Sequence, residues 1–380
     1  MSRHAEIAGG GIGGLSLATM LATSGWSVRV HERAPEIREA GTGIFLKNNA
    51  IEVLDEAGMF ARIDAEAVGL RRSITMARDG RVLGTRPLNG SGRLLALPRQ
   101  ALIQSLYDSA VAVGAEIVLD STVRSIDPAG ALVLADGGRL DADLVVAADG
   151  VHSRLRDGLG IASTVRRLPT VIHRYMLPTR EISTSPDMIE HWSGRYRVAT
   201  APCREDLTYA FQVFPENDRG AAAAPRDMSS WTAAFPRLGR LFELMGEQEP
   251  ITSNYLVARA SNWHRGRAAI LGDAAHGMPP TLGQGAGLTV MNARALVAVV
   301  TQAASVEDAL PAWEAAVRPL ADTTQRWARR YDRVTRSWPR PVRFLRPGAL
   351  WAMRSVPQIR DRMLIADRGL AATTLDVTPL

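Results

Sequence analysis

The chain has 380 residues, 46% of them hydrophobic, and a formal charge of +6. It is long enough to bury a sizeable core across two interlocked domains, and no apolar run approaches the roughly 18 residues that a membrane-crossing helix needs. A single cysteine, Cys203, excludes an internal disulfide framework, suits a reducing cytoplasm and reads as a packing residue. The basic balance favours anionic small molecules, and no nucleic-acid-binding motif accompanies it. Lys47 is the only lysine, so the other 44 of the 45 basic residues are arginines.

In chain order, Ala5 to Ala8 reads as a strand and Gly9-Gly10-Gly11-Ile12-Gly13-Gly14 as a glycine turn. Leu15 to Thr23 reads as a helix stopped by Gly25, and Ser27 to His31 as a second strand ending at Glu32. This is a βαβ unit opening on G-x-G-x-x-G, with an acid 21 residues after the second glycine. Gly9 permits the tight turn, Gly11 lets a pyrophosphate approach the backbone, and Gly14 lets the helix pack on the strand. The helix N-terminus offers N–H groups to phosphates, and Glu32 can accept hydrogen bonds from ribose hydroxyls. A dinucleotide site is therefore expected here.

Further along, Arg72 to Pro87 predicts a hairpin turning at Asp79-Gly80, and Arg99 to Val113 a helix. Leu132 to Leu134 and Arg139-Leu140 flank a turn at Asp136-Gly137-Gly138, and the strand Asp143 to Ala148 runs into Asp149-Gly150. Between residues 166 and 258 the pieces are strand-like, such as Tyr209 to Phe214, with few helical patterns. Ala268 to Leu271 is a short strand ending at Gly272-Asp273, and the chain turns helical beyond Leu288. The expected class is α/β. A Rossmann-like nucleotide domain (1–71, 99–165 and 259–320) is interrupted by a sheet-rich domain (72–98 and 166–258) and followed by a C-terminal helical segment (321–380). The arginine-rich stretch from Arg326 to Arg362, with Trp327, Trp338 and Trp351, reads as an amphipathic cap. Pro339, Pro341, Pro347 and Pro357 interrupt it.

Three separated motifs carry a resemblance. They are Gly9 to Gly14 with Glu32-Arg33; Ala148-Asp149-Gly150-Val151-His152-Ser153; and Gly272-Asp273-Ala274-Ala275-His276 with Pro280 and Gly283-Gln284-Gly285. In this order they resemble the FAD-dependent aromatic hydroxylases, the single-component flavoprotein monooxygenases with the para-hydroxybenzoate hydroxylase fold. The likeness runs from about residue 5 to about residue 320. It implies FAD held by Gly9, Gly11, Gly13, Gly14, Glu32, Arg33, Arg99, Asp149, Gly150, Asp273, Gly283, Gln284 and Gly285. Glu32 would hold the adenosine ribose, Asp273 the ribityl chain, Arg99 would contact the flavin nucleotide, and Asp149-Gly150 would serve both FAD and the nicotinamide donor. It further implies NADH or NADPH as electron donor without a second Rossmann domain, O2 as co-substrate, and no metal. A flavin C4a-hydroperoxide would deliver one oxygen atom to an electron-rich ring.

Gly41 to Asn49, and Ser305 to Leu310 with Trp313-Glu314, resemble pyridine-ring members such as methylhydroxypyridinecarboxylate oxygenase and hydroxynicotinate monooxygenase. That likeness implies a small aromatic or heteroaromatic acid as substrate. Phe45 stands where those enzymes place a substrate-contacting Tyr or His. Lys47, two positions on, shares its face in an extended segment and could anchor a carboxylate or lower a hydroxyl's pKa. Tyr209 would relay a proton, Arg174 or Arg197 would grip a carboxylate, and Pro280 would set its carbonyl near the reacting flavin carbon. His276 reads as structural. The same fold also suits a flavin-dependent reductase, halogenase or epoxidase, or a non-catalytic flavin-binding protein, and these alternatives stay open.

Overall fold

The computed structural model describes residues 2–38, 41–182, 185–223, 227–336 and 345–375. The glycine-turn unit is a parallel βαβ. Strand His4–Ala8 pairs in parallel with Ser27–His31 on one side and with Leu144–Ala147 on the other, and Leu144–Ala147 pairs in parallel with Ala268–Ile270. Glu116–Val118 and His264–Arg265 form the two edges of this six-stranded sheet. Leu144, Val145, Val146 and Ala147 are all fully buried, as expected of a parallel strand covered on both faces. Because the strands run in parallel, Gly9, Asp149 and Gly272-Asp273 follow their carboxyl ends at one edge of the sheet, where open α/β sheets bind ligands.

The second large sheet has seven strands. Their order is Ile251–Ala260, Ser163–Pro178, Leu207–Pro215, Tyr196–Pro202, Asp187–Ser193, Arg72–Ala77 and Val82–Pro87. All neighbours are antiparallel except Asp187–Ser193 with Arg72–Ala77. The expected hairpin thus forms, with Gly80 at φ +86 in its turn. One face of the sheet buries Val171, Tyr175, Val198 and Phe214 against Trp231, Phe235, Phe242 and Met245. Trp231, Phe242 and Met245 come from helices Ser229–Ala234 and Gly239–Gly246, and Phe235 directly follows the first of them. Neither helix was expected in this strand-rich stretch. Helices of six and eight residues carry few turns of periodic signal, and tertiary packing rather than propensity stabilises them.

The opposite face meets a small sheet formed by Gly43–Lys47, Leu94–Pro98 and Val68–Gly69. Another small sheet pairs Ala131–Leu134 with Arg139–Asp141 around Gly137 at φ +92, as the turn predicted. Cys203 is buried, its sulfur donating to the Leu207 carbonyl at 3.4 Å. Helix Val306–Arg336 buries Trp313, Val317, Leu320 and Ala328 and leaves Arg326, Arg330 and Arg333 exposed, which is the amphipathic pattern expected. Trp338, Pro339 and Pro341 lie outside the described residues, as does the side chain of Trp351. Short helices Arg346–Ser355, Pro357–Met363 and Ile365–Ala372 follow, and the last packs on helix Asn48–Glu56. No described helix is long and apolar enough to cross a membrane.

Candidate active site

The glycine turn is shaped for close approach. Gly9 sits at φ +111, and a Cβ there would stand 2.5 Å from the Ala148 carbonyl oxygen. A Cβ on Gly14 would stand 2.0 Å from the Gly9 carbonyl oxygen, so only glycine lets this helix start pack on its strand. A Cβ on Gly13 would meet Thr289 at 2.9 Å, where helices Ile12–Thr23 and Gly285–Gln302 touch. At Gly11 a Cβ would meet nothing within 4 Å. The open side of the turn is therefore at Gly11, which caps helix Ile12–Thr23 without a side-chain hydrogen bond. First-turn N–H groups left in this way favour an anion. Glu32 is aimed by two backbone donors, Gly10 N–H at 2.8 Å and Ala34 N–H at 3.0 Å. Arg33 is exposed beside it.

At the other end of the same sheet edge, Asp149 and Gly150 follow strand Leu144–Ala147, and Asp273 opens the one-turn helix Asp273–His276. Pro280 begins a 3-10 turn, Gly283 takes a left-handed conformation at φ +62, and Gln284 precedes the 18-residue helix Gly285–Gln302 without capping it through its side chain. Gln284 is buried. Its Oε1 accepts from Asn49 Nδ2 at 2.9 Å, and its Nε2 donates to Asp367. Asp367 also receives Lys47, whose Nζ lies 2.6 Å from Oδ1. The lysine predicted to meet substrate thus has its charge engaged by the C-terminal segment. Burial lowers the Lys47 pKa, and Asp367 opposes that shift. Asp367 and Asn49 were not singled out in the sequence, and an acid 320 residues away carries no local signal of this pairing. His276 is buried, accepts at Nε2 from Asn292 Nδ2 at 2.9 Å, and burial pushes its pKa down to about 4. It is a neutral, structural histidine.

The third wall is the inner face of the seven-stranded sheet. Its register sets Met176, Tyr209 and Ala201 in one row and Arg174, Phe211 and Ala199 in the next. Tyr209 is buried between Phe45 and Phe211, with ring centroids 5.6 Å away on each side. Its ring lies directly on Gly43, where a Cβ would come within 2.3 Å of Cγ. Burial raises the Tyr209 pKa well above its ordinary value, while the nearby Arg174 and Arg99 guanidiniums pull the other way. Tyr209 therefore stays protonated at neutral pH and is suited to donate or relay a proton. Arg174 donates from Nη2 to the Ser253 hydroxyl, and its buried Nε has no partner among the described residues. Arg99 opens helix Arg99–Ala112, its backbone N–H donating to the Thr42 carbonyl at 2.7 Å. Arg197, one row further along the sheet, is buried over the Trp192 ring and beside Glu190, Nη1 to Oε1 3.4 Å. Sheet register thus brings Phe45, Tyr209 and Arg174 together with Arg99, while Lys47 and Arg197 are each held by an acid.

A family model for the FAD binding domain matches residues 4–328. The chain belongs to the FAD-dependent aromatic monooxygenases. This monooxygenase is 38% identical over 361 residues to the 2-heptyl-3-hydroxy-4(1H)-quinolone synthase of Mycobacteroides abscessus, covering 93% of this chain and 96% of that one. It is 32% identical over 302 residues to the enzyme of that name from Pseudomonas aeruginosa, covering 76% and 78%. Among solved structures it is similar to the tetrameric form of 2-methyl-3-hydroxypyridine-5-carboxylic acid oxygenase, with TM-score 0.84, 30% identity, and coverage of 97% and 96%. The monooxygenase's own residues fit FAD. The phosphate turn is open at Gly11, Glu32 is aimed by two N–H groups, and a second uncapped helix start at Gly285 adjoins the same sheet edge.

Proposed function

We propose that this monooxygenase uses NADH or NADPH and O2 to insert one oxygen atom into an oxo- or hydroxy-substituted heteroaromatic ring, with 2-alkyl-4-quinolones as the first class to test. The observation that carries the reading is the composition of the inner wall. Phe45, Met176, Tyr209 and Phe211 form an apolar surface whose polar groups include the Tyr209 phenol, the guanidiniums of Arg174 and Arg99, and the nearby Tyr255 phenol. That surface suits a bicyclic ring bearing a single ring oxygen. The names of the M. abscessus and P. aeruginosa relatives, which specify a 3-hydroxylated 2-heptyl-4-quinolone product, support the same class.

Bound FAD would supply reduction by the nicotinamide donor and activation of O2. The chain's own contribution is binding and charge control. A guanidinium at the ring oxygen favours its anionic form, which makes the neighbouring ring carbon a better nucleophile. Arg174 is suited to this because its buried Nε has no partner among the described residues. Tyr209, held protonated by burial, donates to or relays from that same oxygen. Phe45 and Phe211 orient the ring by stacking and exclude water.

A second reading, a hydroxylated pyridine or benzoic acid, is favoured by the same Arg174, whose fork can grip a carboxylate, and by the pyridine acid oxygenase likeness. The test is NAD(P)H oxidation by the FAD-loaded protein across 2-alkyl-4-quinolones, hydroxypyridine acids and hydroxybenzoic acids, with product masses under labelled O2. Stimulation by quinolones with one labelled oxygen in the product supports the first reading, and stimulation by acids alone supports the second. Bound FAD with no labelled product from either class turns the reading toward a reductase, a halogenase or a non-catalytic flavin protein. The product's structure distinguishes ring hydroxylation from epoxidation.

A further inference from the structure

Helix Val306–Arg336 braces the turn that begins at Pro280. Gln325 Nε2 donates to the carbonyls of Ala258 at 2.7 Å and Gly277 at 2.9 Å, and Thr281 Oγ1 donates to the Ala328 carbonyl at 2.9 Å. The helix therefore lies both on the edge strand Ile251–Ala260 and on the Pro280 turn. One turn beyond Gln325 stands Arg329, and Arg333 follows a turn later. In the edge strand, Arg259 comes directly after Ala258. Its partner in the neighbouring strand is Thr164, and Arg166 pairs with Val257, so Arg166 and Arg259 are diagonal neighbours on one sheet face.

Four guanidiniums thus converge where helix meets sheet edge. Burial, then the charges of Arg259, Arg166 and Arg333, hold Arg329 below its ordinary value. None of the four makes a hydrogen bond or ion pair among the described residues. The adjacent acids are committed elsewhere. Asp332 is buried and accepts from the Thr170 hydroxyl at 2.8 Å, and Asp322 pairs with Arg318. The charge of Arg333 acts on Asp332, but the four guanidiniums outnumber that acid, and such an excess of like charge attracts an anion.

We propose that Arg166, Arg259, Arg329 and Arg333 bind the diphosphate of the reduced nicotinamide dinucleotide that reduces the flavin. Two observations select this anion. The chain has one G-x-G-x-x-G unit, whose place is taken by FAD, so a second dinucleotide needs phosphate donors from elsewhere. The helix that carries Arg329 and Arg333 is bonded to the turn beginning at Pro280 through Ala328, so these arginines stand close to the turn that a nicotinamide would approach. Guanidinium forks suit paired phosphates. The inference rests on the reading that NADH or NADPH is the electron donor.

The test is anaerobic reduction of the oxidised FAD-loaded full-length protein by NADH or NADPH, monitored in a rapid-mixing experiment. Loss of two charged hydrogen bonds in Arg259→Gln/Arg329→Gln should raise the half-saturating nucleotide concentration about tenfold or more. The limiting reduction rate should change less than about twofold, because uniform binding rather than the transition state is weakened. ADP should compete with the nucleotide in the wild type and only weakly in the variant. If the glutamine pair does not fold, the wild type decides: half-saturation that is indifferent to salt and to ADP overturns the inference. A wild type reduced normally, with the double variant saturating at the same concentration, overturns the inference alone. A wild-type flavin that neither nucleotide reduces overturns the underlying donor reading, and the inference with it.

Discussion

Removing the Asp367 carboxylate should destabilise this monooxygenase through Lys47. The two side chains are 11% and 17% exposed, so water screens the pair poorly. Breaking a buried pair by deleting one partner costs about 3–5 kcal/mol, because the remaining charge is left desolvated. Neutralising a lysine whose ordinary pKa is 10.5 costs about 5 kcal/mol near neutral pH, which caps the charge effect. Gln284 also loses its acceptor, worth about 1 kcal/mol. Asp367→Ala should therefore lose about 4 kcal/mol. In Lys47→Met/Asp367→Leu no charge is left unpaired, and most of that loss should be recovered, giving a coupling of about 2–3 kcal/mol. The assay is urea unfolding of Asp367→Ala, of the single variants Lys47→Met and Asp367→Leu, and of their double variant at fixed excess FAD, since bound cofactor itself stabilises the native state. The pH dependence follows from sign. Burial sets the folded-state pKa of Lys47 below the unfolded one, and loss of Asp367 lowers it further. The unfolded chain then binds more protons, so the deficit of Asp367→Ala should shrink as pH rises from about 7 toward about 10. Single-variant losses that simply add in the double variant, with a deficit flat in pH, would refute the reasoning.

Three further outcomes are expected. Gly43→Ala drives a Cβ to within 2.3 Å of the Tyr209 ring; overpacking should cost about 1–3 kcal/mol and cut substrate-stimulated turnover, while equilibrium dialysis finds FAD affinity unchanged. Tyr209→Phe keeps the packing with Phe45 but removes the phenol proposed as the proton relay, so the product formed per NAD(P)H consumed should drop on the order of a hundredfold, measured by product mass against nucleotide oxidation. Glu6 is buried, which raises its pKa, but hydrogen bonds from His31 at 2.7 Å and His4 at 2.9 Å outweigh this and leave it below 4.5. Its contribution is present above the unfolded pKa and lost as pH falls through the folded one, so thermal melts should show wild type losing more stability than Glu6→Gln as pH drops below about 4.5.

What the sequence by itself determined is the part of the molecule built from local chemistry. The G-x-G-x-x-G turn with Glu32 names a dinucleotide site because its spacing is local: Gly14 answers Gly9 five residues away, although the close approach of Gly9 to Ala148 on the neighbouring parallel strand comes from the tertiary fold. The Asp79-Gly80 and Asp136-Gly137-Gly138 hairpins are legible for the same reason, since a left-handed turn residue between alternating strands needs no distant partner. Strand-end acids and the Gly283-Gln284-Gly285 helix start also read directly. Tertiary structure alone decided which charges are free. Lys47 looked available for substrate because its partner, Asp367, lies 320 residues away. Among 44 arginines, nothing local separated Arg197, beside Glu190, from Arg174, whose buried Nε has no partner among the described residues. The convergence of Arg166, Arg259, Arg329 and Arg333 depends on a strand register and on a helix docked by Gln325. Electrostatic roles are set by pairing and desolvation, and both come from contacts between segments that the order of residues does not encode locally.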